Sequence, residues 1–281
     1  MSEAFDIMRW PLLACLLLPG ILVYLGLHIV RRGIIFVDLA LAQVAALGIC
    51  VAVLLGHDSH DWQTIAWSGG FTLVGAAVLT LTRPKVRGVP QEAWIGIVYV
   101  VAAAAGLLLL SRSPEGNEEL RRTLVGEILL VTPGEVLRTF GVFAAVGAAL
   151  TVFRRRFLVL LSEASERQAG ARFLWVWDFL FYILFGIVVT TFVRMAGVLL
   201  TFSYLIIPAV CGNLFAGTFR WQLVIGWLLA TLSGLLGLYG SYQLDLPTGA
   251  AIVCALGLVL VLCAGAGRLS ARVTRKRHET I

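Results

Sequence analysis

Long apolar runs recur along the chain almost from one end to the other, each followed by a short polar stretch. At a rise of 1.5 Å per residue, about 20 predominantly apolar residues in a helix cross the hydrocarbon of a bilayer. Runs of that kind lie at 12–30, 34–55, 65–82, 93–110, 136–153, 174–193, 197–215, 222–242 and 249–267. The pattern predicts an all-α polytopic membrane protein, with 1–281 forming a single transmembrane domain of about nine hydrophobic helices. Trp10, Trp62, Trp67, Trp94, Trp175, Trp177 and Trp221 fall at or near run starts, where interfacial anchors belong. One further stretch, 124–131, is apolar but too short to cross. It predicts a re-entrant or interfacial half-helix, giving eight to nine spans plus this element. Thr132-Pro133-Gly134-Glu135 follows it and reads as a helix start: Thr132 caps, Pro133 suits the first helical position, and Glu135 completes a capping box.

Composition agrees with this pattern. Of 281 residues 59% are hydrophobic and 14% charged, with mean hydropathy +0.93, whereas soluble domains carry about a quarter charged residues. The charges cluster between the runs, as expected where lipid excludes them. Apolar segments recur to the end, so nothing reads as a cleaved signal ahead of a soluble body. The five cysteines (Cys15, Cys50, Cys211, Cys254, Cys263) sit inside apolar runs with no Cys-x-x-Cys spacing. They read as small packing residues rather than a disulfide or zinc framework, Cys211 standing apart because it follows Pro208.

The net charge of +6 is explained by orientation. One set of alternate loops holds Arg31, Arg32, Arg83, Lys85, Arg87, Arg154, Arg155, Arg156, Arg167, Arg172, Arg220, Arg268, Arg272, Arg275, Lys276 and Arg277, sixteen of the 22 basic residues. Basic loops stay cytoplasmic, which puts the C-terminus inside. The tail 268–281 is then a solvated basic end and not a nucleic-acid site. No Gly-x-x-x-x-Gly-Lys-[Ser/Thr] loop occurs, so energy for active transport has to come from another subunit or an ion gradient.

Two interrupted runs carry most of the chemistry. Gly197-Val-Leu-Leu-Thr-Phe-Ser-Tyr-Leu-Ile-Ile-Pro208-Ala209 and Gly237-Leu-Tyr-Gly-Ser-Tyr-Gln-Leu-Asp-Leu-Pro-Thr-Gly-Ala250 place Gly, Pro and polar side chains where a passive anchor needs only Leu and Val. Such residues line paths or let helices pack closely. They resemble the permease subunits of the metal-importing ATP-binding-cassette family (zinc, manganese and iron importers). In that family a Gly-Val-Leu-Leu run ends in Ile-x-Pro-Ala, and a Gly-Leu-x-x-Ser-Tyr-x-x-Asp-Leu-Pro-Thr-Gly-Ala run follows. Leu124-Val-Gly-Glu-Ile-Leu129 is similar to the family's Leu-Phe-Gly-Asp-Ile-Leu stretch, and Phe36 to Gly48 to its second-helix motif.

The resemblance implies a transport subunit of the bacterial cytoplasmic membrane, without catalysis or a bound cofactor of its own. It implies as partners a second permease copy, cytoplasmic ATP-binding subunits and an extracytoplasmic metal-binding protein. Segment 161–170 becomes the ATPase-coupling segment, with Glu163, Ala164, Ala169 and Gly170 suited to a helix seated in a groove. The family's Ala-x-x-x-Gly spacing is not kept, because Glu166 stands four residues before Gly170. The largest departure concerns the metal. The family's second helix carries an Asp and a His four residues apart, and aligning on Gly48 puts Leu39 and Gln43 there. Asp38 sits one residue early, about 100° round the helix. Either Asp38 and Gln43 form an oxygen-rich site, or the spans no longer coordinate metal.

Asp38 is an ionisable group inside a run, which marks function or pairing; a salt bridge to Arg31 or Arg32 is its structural alternative. Ser203, Tyr204 and Asn213 surround Pro208, which frees the carbonyl of Tyr204 to line a translocation path or to be satisfied by neighbouring helices. His57-Asp58-Ser59-His60-Asp61 places two His and two Asp in one outer loop, a candidate to receive a borderline metal or a plain polar loop. His28 alone in the first run reads as packed or snorkelling. Ser233, Gly237 and Ser241 mark a close-packing face, within one subunit or at a dimer seam. The leading expectation is a permease for a divalent transition metal. The alternatives are a permease for a metal chelate or other small nutrient, and a non-transporting scaffold or intramembrane enzyme.

Overall fold

A computed structural model describes residues 2–57, 61–82, 89–111, 124–126, 128, 131–159 and 171–279. Among them the long elements are all helices: α1 Ser2–Leu17, α2 Pro19–Arg32, α3 Val37–Leu54, α4 Trp62–Leu81, α5 Gln91–Leu110, α6 Pro133–Val152, α7 Arg154–Val159, α8 Ala171–Phe215, α9 Phe219–Leu244 and α10 Thr248–Glu279. Eight stretches are long and apolar enough to cross a membrane, α1 and α2 joining as one, Arg9–Arg32. Local sequence accounts for several of the boundaries. Pro19 starts α2, and Gly33 ends it in the left-handed region at φ 69°, after Arg31 and Arg32, which suit the negative end of the helix dipole. The capping box of α6 is formed: the Glu135 amide donates to Thr132 Oγ1 at 3.3 Å and the Thr132 amide to Glu135 Oε2 at 2.9 Å.

The 45-residue α8 contains two of the nine apolar runs. Asp178 pairs with Arg32, while Gly212 lies against the backbone of Gln222, which bonds the adjacent Arg31. On a straight helix Asp178 and Gly212 stand about 51 Å apart, farther than two neighbouring arginines can bridge. The chain therefore doubles back at Gly197, whose φ of 78° and ψ of 166° are non-helical. Across this hairpin the rings of Phe192 and Tyr204 meet at 6.0 Å. The runs 174–193 and 197–215 are its two arms, so among the described residues the helical arms of crossing length number nine.

The hairpin turn is locked by backbone contact. Gly126, just after the helical pair Leu124-Val125, has φ 65°. A Cβ on it would strike the Ala196 carbonyl, one on Gly197 would fall 2.6 Å from the Val125 carbonyl carbon, and one on Gly249 would strike the Val125 oxygen. Three segments that carry the resemblance thus cross at one point, where only glycine permits the approach and, at Gly126 and Gly197, the dihedrals. The described residues Leu124, Val125 and Gly126 thus lie against α8 and α10 at this crossing.

The hairpin is the centre of the bundle, packing on α2, α3, α4, α9 and α10, while α3 packs on α4 and α5. Its largest enclosed side chains include Phe181, Tyr182, Phe185, Phe192 and Tyr204. The outer faces are apolar as well, with Val74, Leu108, Leu137, Leu228 and Val261 exposed, the arrangement that lipid rather than water demands. The small residues of α9 face inward: Gly237 abuts Ile252 of α10, and the Ser241 hydroxyl donates to Leu246 O at 2.7 Å and lies 2.8 Å from that of Thr248. Of the two readings of that face, packing within one subunit is the one realised.

Candidate functional site

Asp38 occupies the first turn of α3, where the positive end of the helix dipole favours a carboxylate. It is 1% exposed, and neither carboxylate oxygen has a side-chain partner, the backbone amides of Asp38 and Leu39 being the donors beside it. The salt bridge to Arg31 or Arg32 is not formed, because both arginines are engaged elsewhere. Arg32 pairs with Asp178 of α8 and lies over the rings of Phe181 and Tyr182 at 4.9 and 5.6 Å. Arg31 donates to Gln222 Oε1 at 2.8 Å and covers Phe219 at 4.9 Å. Gln222 in turn donates to the Ala216 carbonyl at 2.8 Å. Gln91 of α5 donates to the Tyr182 hydroxyl at 3.1 Å, so α2, α5, both arms of α8 and α9 are wired together at the end of the bundle from which Asp38 rises.

Gln43 is 8% exposed and also on α3, but five residues from Asp38. That spacing places the two side chains about 140° apart around the axis and about 7.5 Å along it. A single turn of α3 therefore does not carry both side chains, and Asp38 and Gln43 stand as two separate candidate positions on it. Among the described residues no group of three or more His, Cys, Asp or Glu gathers.

The residues around Pro208 make separate contacts. Ser203 donates to the Leu199 carbonyl at 2.8 Å, a bond within its own helix. Tyr204 is fully enclosed, its hydroxyl 3.9 Å from Cys15 Sγ and against Gly234. The Pro208 carbonyl lies at the close approach to Gly226 of α9, and Asn213 is exposed. This motif serves packing of the second arm of α8 on α1, α2 and α9. Cys211 meets Cys263 of α10 thiol to thiol. His28 bonds the Tyr24 carbonyl at 3.0 Å and packs on Tyr24 and Phe219, the packed role expected of it. His57 follows α3, its amide bonded to Ala52 O at 3.1 Å. His60 lies outside the described residues, as do Glu163, Ala164, Ala169 and Gly170 of the coupling segment.

Asp178 is the functional candidate that the sequence reading does not single out. The available signal was the same as for Asp38: a carboxylate inside an apolar run, here 174–193.

Fold and site together define a polytopic helical membrane protein of the transport class, built around a central hairpin with a buried carboxylate at one end. A model of the ABC 3 transport family matches residues 4–266, and the chain belongs to that family. It is accordingly a multi-pass membrane permease and not an enzyme, and it works with an ATP-binding subunit and a substrate-binding protein. A probable metal transport system membrane protein of Thermotoga maritima is 29% identical over 261 residues, covering 90% of this chain and 89% of the relative. One from Chlamydia pneumoniae is 28% identical over 238 residues, covering 83% and 80%. A manganese transport system membrane protein of Listeria innocua is 22% identical over 241 residues, covering 85% and 82%. Among solved structures, PsaBC from Streptococcus pneumoniae in complex with Fab superposes with TM-score 0.75 at 20% identity, over 93% of this chain and 92% of that one. A transporter described as metal-chelate type, in an inward-facing conformation, gives TM-score 0.70 at 18% identity, over 93% and 88%.

Proposed function

We propose that this chain is the permease subunit of an ATP-driven importer of a divalent transition metal, manganese in preference to zinc, in the bacterial cytoplasmic membrane. The single observation that carries the reading is Asp38: a carboxylate 1% exposed with no side-chain partner at either oxygen, in a permease whose relatives bear metal and manganese transport names. An unpaired buried carboxylate is costly to keep, and a passing cation relieves that cost during each transport cycle. The preference follows from donor chemistry. Zinc favours nitrogen and sulfur ligands in a closed tetrahedron, manganese favours carboxylate, carbonyl and water. Within the described spans the one histidine, His28, is bonded to its own helix, and none of the five cysteines gathers with two further His, Cys, Asp or Glu among the described residues. Oxygen donors remain: Asp38, Gln43 and the water that enters when the bundle opens.

In this reading the basic end of the bundle and the tail 268–281 face the cytoplasm. Segment 161–170, with Glu163, Ala164, Ala169 and Gly170, meets the cytoplasmic ATP-binding subunit. A second permease copy completes the translocation path, and His57 with His60 receives the ion from an extracytoplasmic metal-binding protein. A metal chelate is the second reading, favoured by the lack of a multidentate ligand cluster among the described residues, since a chelate brings its own donors. The test is the metal content of cells lacking the gene, by mass spectrometry in metal-depleted medium, complemented with wild type, Asp38→Ala or Gln43→Ala. Manganese is expected to fall on deletion and to be restored by wild type but not by Asp38→Ala. If no metal changes, free-metal import is wrong and the chelate reading takes its place.

A further inference from the structure

Segment 161–170 ends where α8 begins, and the first turns of α8 reach toward Asp38 through one contact. Seven residues into α8, Asp178 is fully buried and pairs with Arg32, which is itself 7% exposed. Phe181 lies one turn further on, under the Arg32 guanidinium at 4.9 Å. The same Phe181 meets Phe157 of α7 edge-on at 5.9 Å, and Phe157 meets Trp177 at 5.7 Å. Both flanks of the coupling segment, α7 before it and α8 after it, are thus fastened to one face of α8, and Arg32 is what that face holds on α2.

From Arg32 the chain needs only six residues to reach Asp38. Gly33 closes α2 at φ 69°, the Val37 amide bonds Ile34 O at 3.3 Å, and α3 starts at once. A link this short and this hydrogen-bonded has no slack to absorb a displacement of Arg32. On the other side, Arg31 grips α9 through Gln222, which fixes the axis about which the end of α2 can turn.

The chemistry of the contact is informative. A well-packed apolar pair holds helices together at least as well as a buried ion pair, because desolvation offsets most of the attraction. What the ion pair adds is direction and an all-or-none character. The planar guanidinium is oriented by both the carboxylate and the rings beneath it, and separating a buried pair is costly, so a shift of α8 is passed to α2.

We propose that the Arg32–Asp178 pair is the positioning contact that carries a displacement of the start of α8 to Asp38, moving the α2–α3 turn and its carboxylate in the same stroke. The proposal rests on the import reading for the roles of segment 161–170 and Asp38. Its test uses the assembled importer, permease with its ATP-binding subunit and binding protein, in proteoliposomes. Hydrogen exchange with and without nucleotide reads the movement independently of cargo, and manganese taken up per ATP hydrolysed reads the coupling. In wild type, nucleotide is expected to change exchange at both 171–180 and 33–38. In Asp178→Asn the response at 171–180 stays, the response at 33–38 is lost, and uptake per ATP falls roughly tenfold, within the usual range of coupling between sites. Arg32→Lys, which keeps the charge without the planar fork, is expected to lie between the two.

An unchanged response at 33–38 in folded Asp178→Asn, with unchanged uptake per ATP, overturns the proposal. So does failure of both variants to assemble an ATP-hydrolysing complex, which assigns the pair to folding alone. A wild type whose exchange responds to nucleotide but which takes up no manganese removes the manganese-import reading instead, and the exchange data still decide the role of the pair.

Discussion

Replacing Asp38 by leucine separates a structural carboxylate from a functional one, because the two cases move stability in opposite directions. The side chain is 1% exposed and neither oxygen has a side-chain hydrogen-bond partner. A buried polar group left unsatisfied costs about 1–3 kcal/mol, more when charged. The dipole at the start of α3 returns about 0.3–1 kcal/mol of that. Leucine keeps the branched four-atom skeleton of the side chain without its polar atoms, and where its bulkier methyl groups are accommodated Asp38→Leu is expected to stabilise the protein by about 2 kcal/mol. At about 2–4 °C per kcal/mol, the scale of large domains, the unfolding midpoint rises by about 4–8 °C. Tryptophan fluorescence during heating in detergent, at one fixed scan rate because membrane proteins unfold irreversibly, measures the shift. Manganese uptake by the reconstituted importer is expected to fall to background in the same preparation. A midpoint lowered by several degrees would refute the reasoning, since it means that the carboxylate has a structural partner. Uptake that survives refutes the cargo role even if the midpoint rises.

Gly26→Ala sets helix propensity against packing: alanine gains about 1 kcal/mol in a helix, but the methyl strikes the Leu205 carbonyl oxygen and lies 2.8 Å from its carbon. Overpacking of about 1–3 kcal/mol or more is expected to win and lower the midpoint, whereas Gly141→Ala, with nothing within 4 Å, raises it slightly; equal shifts in the two would show that the helices part without cost. Thr132→Ala removes the α6 cap and is expected to cost about 1 kcal/mol, read in the same thermal assay, with uptake per folded molecule unchanged. The double variant His57→Ala, His60→Ala is expected to raise the manganese concentration for half-maximal uptake and leave the maximal rate intact; an unaltered concentration dependence removes these histidines from cargo capture.

The crossing arms were legible in the sequence because lipid imposes a length and a composition on each of them, whatever its neighbours do. Even the hairpin within α8 left a mark: Arg194 and Gly197 interrupt the apolar pattern at the place where the chain turns. Side-chain partners left none. Arg31 and Arg32 lie within seven residues of Asp38, yet they go to Gln222, 191 residues from Arg31, and to Asp178, 146 residues from Arg32. Nearness along the chain lost to topology, and no local period announces which carboxylate a given arginine will reach. The same limit explains Ser203 and Tyr204, polar groups that a linear reading assigns to a path. The first bonds its own helix, and the second turns into the interface with α1.

What the linear reading could not assign at all is the difference between the two ends of the bundle. At one end Gly126, Gly197 and Gly249 bring three backbones into contact, an arrangement with no rotamer to change and no partner to exchange. At the other end α2, α5, α8 and α9 are joined by side chains, Arg31 with Gln222, Arg32 with Asp178 and Gln91 with Tyr182. Such links have alternative rotamers and can exchange partners, which closely packed backbones cannot. A bundle joined in this way is stiffest at the glycine crossing and widest in its motion at the polar end. Asp38 rises from the polar end, in the first turn of a helix reached directly from Arg32. On the import reading, an ion at Asp38 would sit at the end joined by exchangeable side chains, opposite the backbone crossing at Gly126, Gly197 and Gly249.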